Sequence, residues 1–294
     1  MLPWIILGIV ILALNLRAPI IAPTAILPAI QEGTGFSAAG LGLLTGLPVL
    51  LFALATPLAG KFITRLGAEA TVLACLSGVL VGTILRSVGP PWLVLAGTGI
   101  IGLAITLGNI VVPVIIRREV PWEQVSMVTG LYSAMMNIGS MATLIGTGPL
   151  AEAFGWRWAL AVWGGLAFLG LGFWMVLIRV RVRREGEAAR AAAAESADDP
   201  SLTEAAAPVV KPSWAEAPAS FRLIIALLII TFSGQSTAYY VTTTWLPSYL
   251  GDTIGLAPTA AGGTASLFQV AAVLRAFGVP LLAVTAKPWV AVAV

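Results

Sequence analysis

The chain has 294 residues, of which 59% are hydrophobic and only 10% are charged, and its mean hydropathy is +0.97. A soluble domain carries about a quarter charged residues, so this composition excludes an ordinary water-exposed surface and indicates a protein embedded in lipid. The net charge of +3 does not indicate a nucleic-acid partner, because the basic residues lie between apolar segments rather than in a patch with aromatic residues.

Eight apolar segments are long enough to cross a bilayer as helices, since a span needs about 20 residues. They cover residues 4–30, 40–62, 69–88, 91–116, 124–148, 156–179, 221–248 and 259–284. The first is interpreted as a retained span rather than a signal peptide, because no basic region precedes Trp4. The glycines of the fifth span indicate close helix packing; they are Gly130, Gly139, Gly146 and Gly148.

A hydrophilic stretch divides these spans into two groups. Residues 180–220 are rich in Arg, Ala, Glu, Asp and Pro, which predicts a linker that is partly helical at most. The predicted domains are therefore a six-helix bundle (1–179), a cytoplasmic linker (180–220) and a partial C-terminal bundle of two helices (221–294).

The distribution of basic residues predicts the orientation. Loops after even-numbered spans carry Lys61, Arg65, Arg117, Arg118, the arginines that follow residue 178, and Lys211. Loops after odd-numbered spans hold Arg86 and Arg157. The positive-inside rule then places the N-terminus and the linker in the cytoplasm of a multi-pass protein of the plasma (inner) membrane.

A weak internal repeat links the two groups of spans. The end of span one reads Ile26-Leu27-Pro28, followed by Gly35-Phe36-Ser37 and a helix that ends at Pro57-Leu58. The end of span seven reads Trp245-Leu246-Pro247, followed by Gly255-Leu256-Ala257 and a helix that ends at Pro280-Leu281. Chance similarity between apolar segments is the alternative. A duplicated transporter has this layout, and the repeat predicts about four further helices in the full-length protein.

Six spans, a basic linker and a second half that begins again resemble the major facilitator superfamily. The signature loop of that family, G-x-L-A-D-R-x-G-R-[KR], corresponds here to residues 60–69. Both glycines and Arg65 match, whereas Thr64 replaces the usual aspartate and Ala68-Glu69 the basic pair. The family's cytoplasmic charge latch is then expected to be weakened, or rebuilt around Lys61, Arg65 and Glu69.

Several segments are similar to one branch, the cyanate/nitroimidazole transporter family. They are Asn15-Leu16-Arg17-Ala18-Pro19, Gly130-Leu131-Tyr132 with Asn137-Ile138-Gly139, Trp156-Arg157-Trp158-Ala159-Leu160, Gln235-Ser236 with Tyr239-Tyr240, and Leu267-Phe268-Gln269. The resemblance implies an all-α membrane protein of the superfamily type, with one six-helix half and the first two helices of the other. It also implies transport of a small polar or anionic solute. We expect a monomer whose partners are the lipid bilayer and this solute.

Arg17 is the first candidate binding residue, because a charge near the middle of a span costs at least a few kcal/mol unless it faces a cavity or a partner. Its forked donors suit an anion or an electron-rich group, and the predicted spans offer it no carboxylate partner. The alternative is a structural arginine bonded to backbone carbonyls. Arg275 in span eight is a second candidate, with snorkelling towards the membrane surface as its alternative.

Span seven carries a polar stripe of Gln235, Tyr239 and Thr242, at i, i+4 and i+7 of a helix. These side chains line a cavity or form interhelical hydrogen bonds. By the repeat, Gln235 and Ser236 lie at the depth of Arg17, near the bilayer midplane. The weaker candidates are Asn15, Asn109, Asn137 and Gln269.

The chain offers little for catalysis or proton coupling. There is no histidine, and Cys75 is the single cysteine, so a disulfide and His/Cys metal sites are excluded and no cofactor is expected. Every acid falls in a loop, the linker or a helix end, which disfavours both a membrane enzyme and a proton relay. The hypotheses are therefore a secondary transporter acting by facilitated transport or exchange, or a truncated, non-transporting fragment.

Overall fold

The computed structural model describes residues 2–196 and 218–285, and the regular structure in these ranges is helical. The helices are α1 (Leu2–Ile21), α2 (Leu27–Thr34), α3 (Ala38–Val88), α4 (Pro91–Glu119), α5 (Trp122–Phe154), α6 (Trp156–Ser196), α7 (Ala219–Ile254) and α8 (Pro258–Thr285), with a 3₁₀ turn, Ala22–Ile26, between the first two. Each predicted span falls on helical chain, which confirms the fold class.

The second and third predicted spans are the two parts of α3. They meet at Gly67, whose φ of 84° and ψ of 169° are not helical. A positive φ of this size strains any residue with a Cβ, so the glycine provides the break. The expected loop at residues 60–69 is therefore wrong in one respect, because Lys61 and Arg65 lie within helical turns just before Gly67.

Five described helical segments are long and apolar enough to cross a membrane. They are Leu2–Thr34, Ala38–Val88, Pro91–Glu119, Trp156–Arg184 and Arg222–Ile254. The helix α5 is less apolar, and it packs against α1, α4 and α8. Contacts with protein rather than lipid cover part of its surface, so it tolerates more Ser, Thr and Gly. In α8 the apolar stretch Thr259–Leu274 is shorter than a full span.

The described chain forms two compact units, Met1–Leu177 with Thr243–Val294, and Ile178–Thr242. The core of the first unit joins the end of α1 and the 3₁₀ turn to α2, α3, α4, α5 and α6; its buried Ile and Leu members are Ile21, Ile26, Leu27, Ile30, Leu41, Leu44, Leu144 and Leu160. Glycines allow the backbones to approach: a Cβ added to Gly139 would lie 3.0 Å from the Leu14 carbonyl oxygen. This confirms the packing role expected for Gly139.

The two hairpin turns of the predicted repeat have the same backbone geometry. Gly35 ends α2 with φ of 71°, and Gly255 ends α7 with φ of 73°. The N–H of each donates to the carbonyl four residues earlier, at 2.8 and 3.0 Å, which is a left-handed helix cap. The following helices begin at Ala38 and Pro258, at the same offset from the glycine. The shared cap and offset match the layout that the repeat predicts, but such caps end many helices, so the repeat stays a prediction.

The predicted linker begins as helix, because α6 continues to Ser196. Lys211 lies outside the described residues. The three-part division into domains stays a prediction.

Candidate functional site

Arg17 lies close to a proline-induced break in α1. Pro19 and Pro23 have no N–H, so they cannot bond the carbonyls of Asn15 and Pro19, four residues before them. The helix ends at Ile21 and a 3₁₀ turn follows. The Arg17 side chain is half-buried, while its neighbours in sequence are buried. A guanidinium beside a broken helix can offer its donors to a polar ligand.

Asn15 is committed to helix packing. Its side chain is 1% exposed, and its Nδ2 donates to the carbonyls of Ile11 at 2.8 Å and Leu166 at 3.3 Å. The second bond ties α1 to α6, where Gly170 makes room for the amide: an added Cβ would lie 3.2 Å from Nδ2. The geometry therefore matches the interhelical interpretation of Asn15, and its Oδ1, which accepts no bond from the described chain, is the part left to a ligand.

The polar residues of α7 lie in the second compact unit. Gln235 and Ser236 are exposed, and Tyr239 is half-buried. The ring of Tyr239 meets that of Tyr240 edge-to-face, with centroids 5.5 Å apart and planes at 89°. Arg17 belongs to the first unit, so the expected meeting of Arg17 with this stripe stays a prediction.

Two candidates lie on α8. Gln269 is fully buried, and its Nε2 donates to the Thr243 hydroxyl at 3.4 Å, which fixes α8 to the end of α7 within the first unit. Gln269 is thus held in an interhelical contact. Arg275 lies on α8, but its side chain is outside the described residues.

The described acidic side chains lie outside the middle of the apolar helices, as expected. Glu32, Glu119, Glu123, Glu152 and Asp252 lie at helix ends, Glu69 next to the break at Gly67, and Glu187 beyond the apolar part of α6. Glu69 forms an ion pair with Arg118 at the end of α4, and Arg118 also bonds Glu119 at 2.6 Å. This charge pair joins α3 to α4 within the first unit, and a latch around Lys61, Arg65 and Glu69 stays a prediction.

Two arginines were assigned wrongly to loops. Arg86 lies in the last turn of α3 and is 1% exposed, with its Nη1 donating to the Pro19 carbonyl at 2.6 Å. Arg157 lies in the first turn of α6 and donates to the carbonyls of Ser87 and Gly89 at 3.3 and 3.0 Å. Both lie next to a predicted turn, Arg86 beside Gly89-Pro90 and Arg157 beside Gly155, which gave the loop prediction. No sequence signal distinguishes a buried arginine at a helix end from an exposed one.

The sequence matches the model of the Major Facilitator Superfamily over residues 5–294. This chain belongs to the Major Facilitator Superfamily. The expected branch is confirmed as well, because the similar curated members of the superfamily include transporters of this branch. The chain is 32% identical to an uncharacterized transporter, YycB, of Bacillus subtilis over 95% of this chain. It is 31% identical to the 2-nitroimidazole transporter of Escherichia coli over 94% of this chain.

A shorter match links the chain to the cyanate transport protein CynX of Escherichia coli, with 27% identity over 58% of this chain and 44% of that protein. The matches to the first two relatives cover 64% and 65% of their lengths. Solved superfamily structures share the fold. A peptide transporter determined in complex with sulfate superposes with a TM-score of 0.62 at 14% identity, over 97% of this chain and 69% of that one. The tetrameric peptide transporter PepTSo2 gives 0.59 at 16% identity, over 95% of this chain and 70% of that one.

Proposed function

We propose that this protein is a secondary transporter that moves a small polar or anionic solute across the plasma membrane by alternating access. Membership of the superfamily supports the mechanism, and the relatives whose names specify 2-nitroimidazole and cyanate support the solute class. The single observation that carries the proposal is the half-buried Arg17 at the broken end of α1. A buried guanidinium binds planar, electron-rich groups through paired hydrogen bonds.

The basic residues support an orientation with the N-terminus and the linker in the cytoplasm. The burial of Arg86 strengthens this argument, because it removes one of the two exceptions to the positive-inside pattern. Arg157, the other exception, is half-buried against backbone carbonyls.

The placement of acids supports uniport or exchange rather than proton coupling through the described helices. Carriers that move protons use carboxylates or histidines inside the membrane. The described acids lie at helix ends, next to the Gly67 break or, as Glu187, beyond the apolar part of α6, and the chain contains no histidine.

Uptake by cells producing Arg17→Ala tests the site. Labelled cyanate and 2-nitroimidazole are the probe solutes, and Arg222→Ala, which removes an exposed arginine near the start of α7, is the matched control. Loss of a charge-assisted hydrogen bond worth about 1.5–3 kcal/mol lowers uptake by roughly ten- to hundredfold. Arg222→Ala should keep wild-type uptake, and both variants should reach the membrane in equal amounts. Unchanged uptake by Arg17→Ala would assign Arg17 a structural role.

A further inference from the structure

Arg86 is a buried cation that takes no part in the proposed binding site. It is one of the largest fully buried side chains of the described structure, at 1% exposure. Burying a guanidinium is strongly unfavourable unless its donors are used. Its Nε and Nη2 are buried without a hydrogen bond in the described part of the chain, and Nη1 makes a single bond at 2.6 Å. That bond is therefore the contact that explains where the side chain lies.

The acceptor of this bond is a carbonyl that the helix itself cannot satisfy. In a continuous helix the Pro19 carbonyl would accept from the N–H of residue 23. Residue 23 is a proline and has no N–H. A buried carbonyl left without a donor is costly, and Arg86 supplies the donor from α3. The guanidinium thus replaces the hydrogen bond that Pro23 removes.

Close packing brings Arg86 within reach of α1. The helices α3 and α4 touch at Gly82 and Gly97. A Cβ added to Gly97 would lie 2.5 Å from the Gly82 carbonyl oxygen and 2.7 Å from the backbone nitrogen of Arg86. A larger residue at either position would push the end of α3 away. The sequence therefore provides both the broken helix and the tight helix pair that delivers the arginine to it.

We propose that Arg86 is a positioning residue for transport, which fixes the broken end of α1 through the Pro19 carbonyl and so holds Arg17 in its binding orientation. Arg17 lies two residues before Pro19, on the last regular turn of α1. The positioning role rests on the proposed function of Arg17. The hydrogen bond from Arg86 to the Pro19 carbonyl, which we call the clamp, does not.

The test compares Arg86→Met with the double variant Arg86→Met/Pro23→Ala in the full chain. Methionine has a similar length and leaves no charge in the core. Loss of the clamp should raise the half-saturating solute concentration about tenfold, with a smaller change in the maximal rate. Alanine at position 23 restores an N–H that bonds the Pro19 carbonyl, so the double variant should recover most of the affinity. Arg86→Lys, which retains a donor, should recover part of it.

Amide hydrogen exchange of residues 20–26 in detergent micelles tests the clamp without a transport assay. Exchange should be about tenfold faster in Arg86→Met than in wild type and should slow again in the double variant. The control Arg117→Met removes an exposed arginine in the last turn of α4, at the end of that helix far from Arg86, and it should leave this segment unchanged.

Wild-type exchange in Arg86→Met, or no recovery of exchange or affinity in the double variant, would overturn the inference. Faster exchange with an unchanged half-saturating concentration would also overturn it, because the clamp would then not position Arg17. If the wild-type chain takes up no probe solute, the proposed function fails, and the exchange experiment still decides whether the clamp exists.

Discussion

The contact of α8 with α5 depends on Gly262, and its replacement by alanine tests that contact directly. A Cβ at position 262 would lie 2.6 Å from the carbonyl oxygen of Leu144, whereas ordinary contact begins near 3.4 Å. The Leu144 carbonyl belongs to the backbone, so it cannot make room by a rotamer change as a side chain could. Overpacking of this kind costs roughly 1–3 kcal/mol, against a gain of about 1 kcal/mol from replacing a helical glycine. The expected net loss is therefore up to about 2 kcal/mol.

Thermal unfolding of the purified protein in detergent measures this loss. The next residue, Gly263, is the matched control, because a Cβ there meets nothing within 4 Å. Gly263→Ala should raise the Tm slightly, through helix propensity alone. Gly262→Ala should melt a few degrees below it, at about 2–4 °C per kcal/mol. Equal Tm values for the two variants would refute the argument that α5 and α8 touch at this glycine.

Two further predictions concern a hydrogen bond and the orientation. The Trp163 indole donates to the Thr147 hydroxyl at 3.0 Å. Thr147→Val should therefore lower the free energy of unfolding by about 0.6 kcal/mol, measured by thermal unfolding. Trp163→Phe should then lower it less in the Thr147→Val background than in wild type, because the hydrogen bond is already lost. Glu123 and Ala153 are exposed positions at opposite ends of α5. In a Cys75→Ser background, a membrane-impermeant maleimide added to intact cells should label Ala153→Cys but not Glu123→Cys. The reverse labelling pattern would invert the orientation.

Much of the fold could be predicted from the sequence, because apolar length alone marks a helix in lipid. The repeat of Gly35 and Gly255 could also be found, since a helix that must reverse tightly needs a residue free to adopt positive φ. The sequence could not predict that Gly67 alone, rather than a loop, separates the two parts of α3. Two apolar runs with a few charges between them look the same whether a loop or a single kinked residue joins them.

The candidate site was harder to predict, because the sequence reports a polar residue but not what it touches. Asn15 was a weaker candidate with helix packing as its alternative, and its amide bridges α1 and α6. Arg86 looked like a loop residue, and its use depends on a carbonyl in another helix, 67 residues away along the chain. Pro19 and Pro23 were visible, but the donor that their break requires is chosen by the packing of α3 on α4. Arg17 could be found as a candidate, since a charge in an apolar run is costly unless it faces a partner or a cavity; its binding role stays a prediction.

The central claim is that this chain carries a solute across the membrane without a proton relay in the described helices. Counterflow in proteoliposomes tests it most directly. Vesicles loaded with an unlabelled probe solute are diluted into the labelled one, with and without an imposed pH difference. Transient accumulation of label should occur at equal pH, should be insensitive to the pH difference, and should vanish in Arg17→Ala. Accumulation that occurs only under the pH difference, or no counterflow in either condition, would contradict the account.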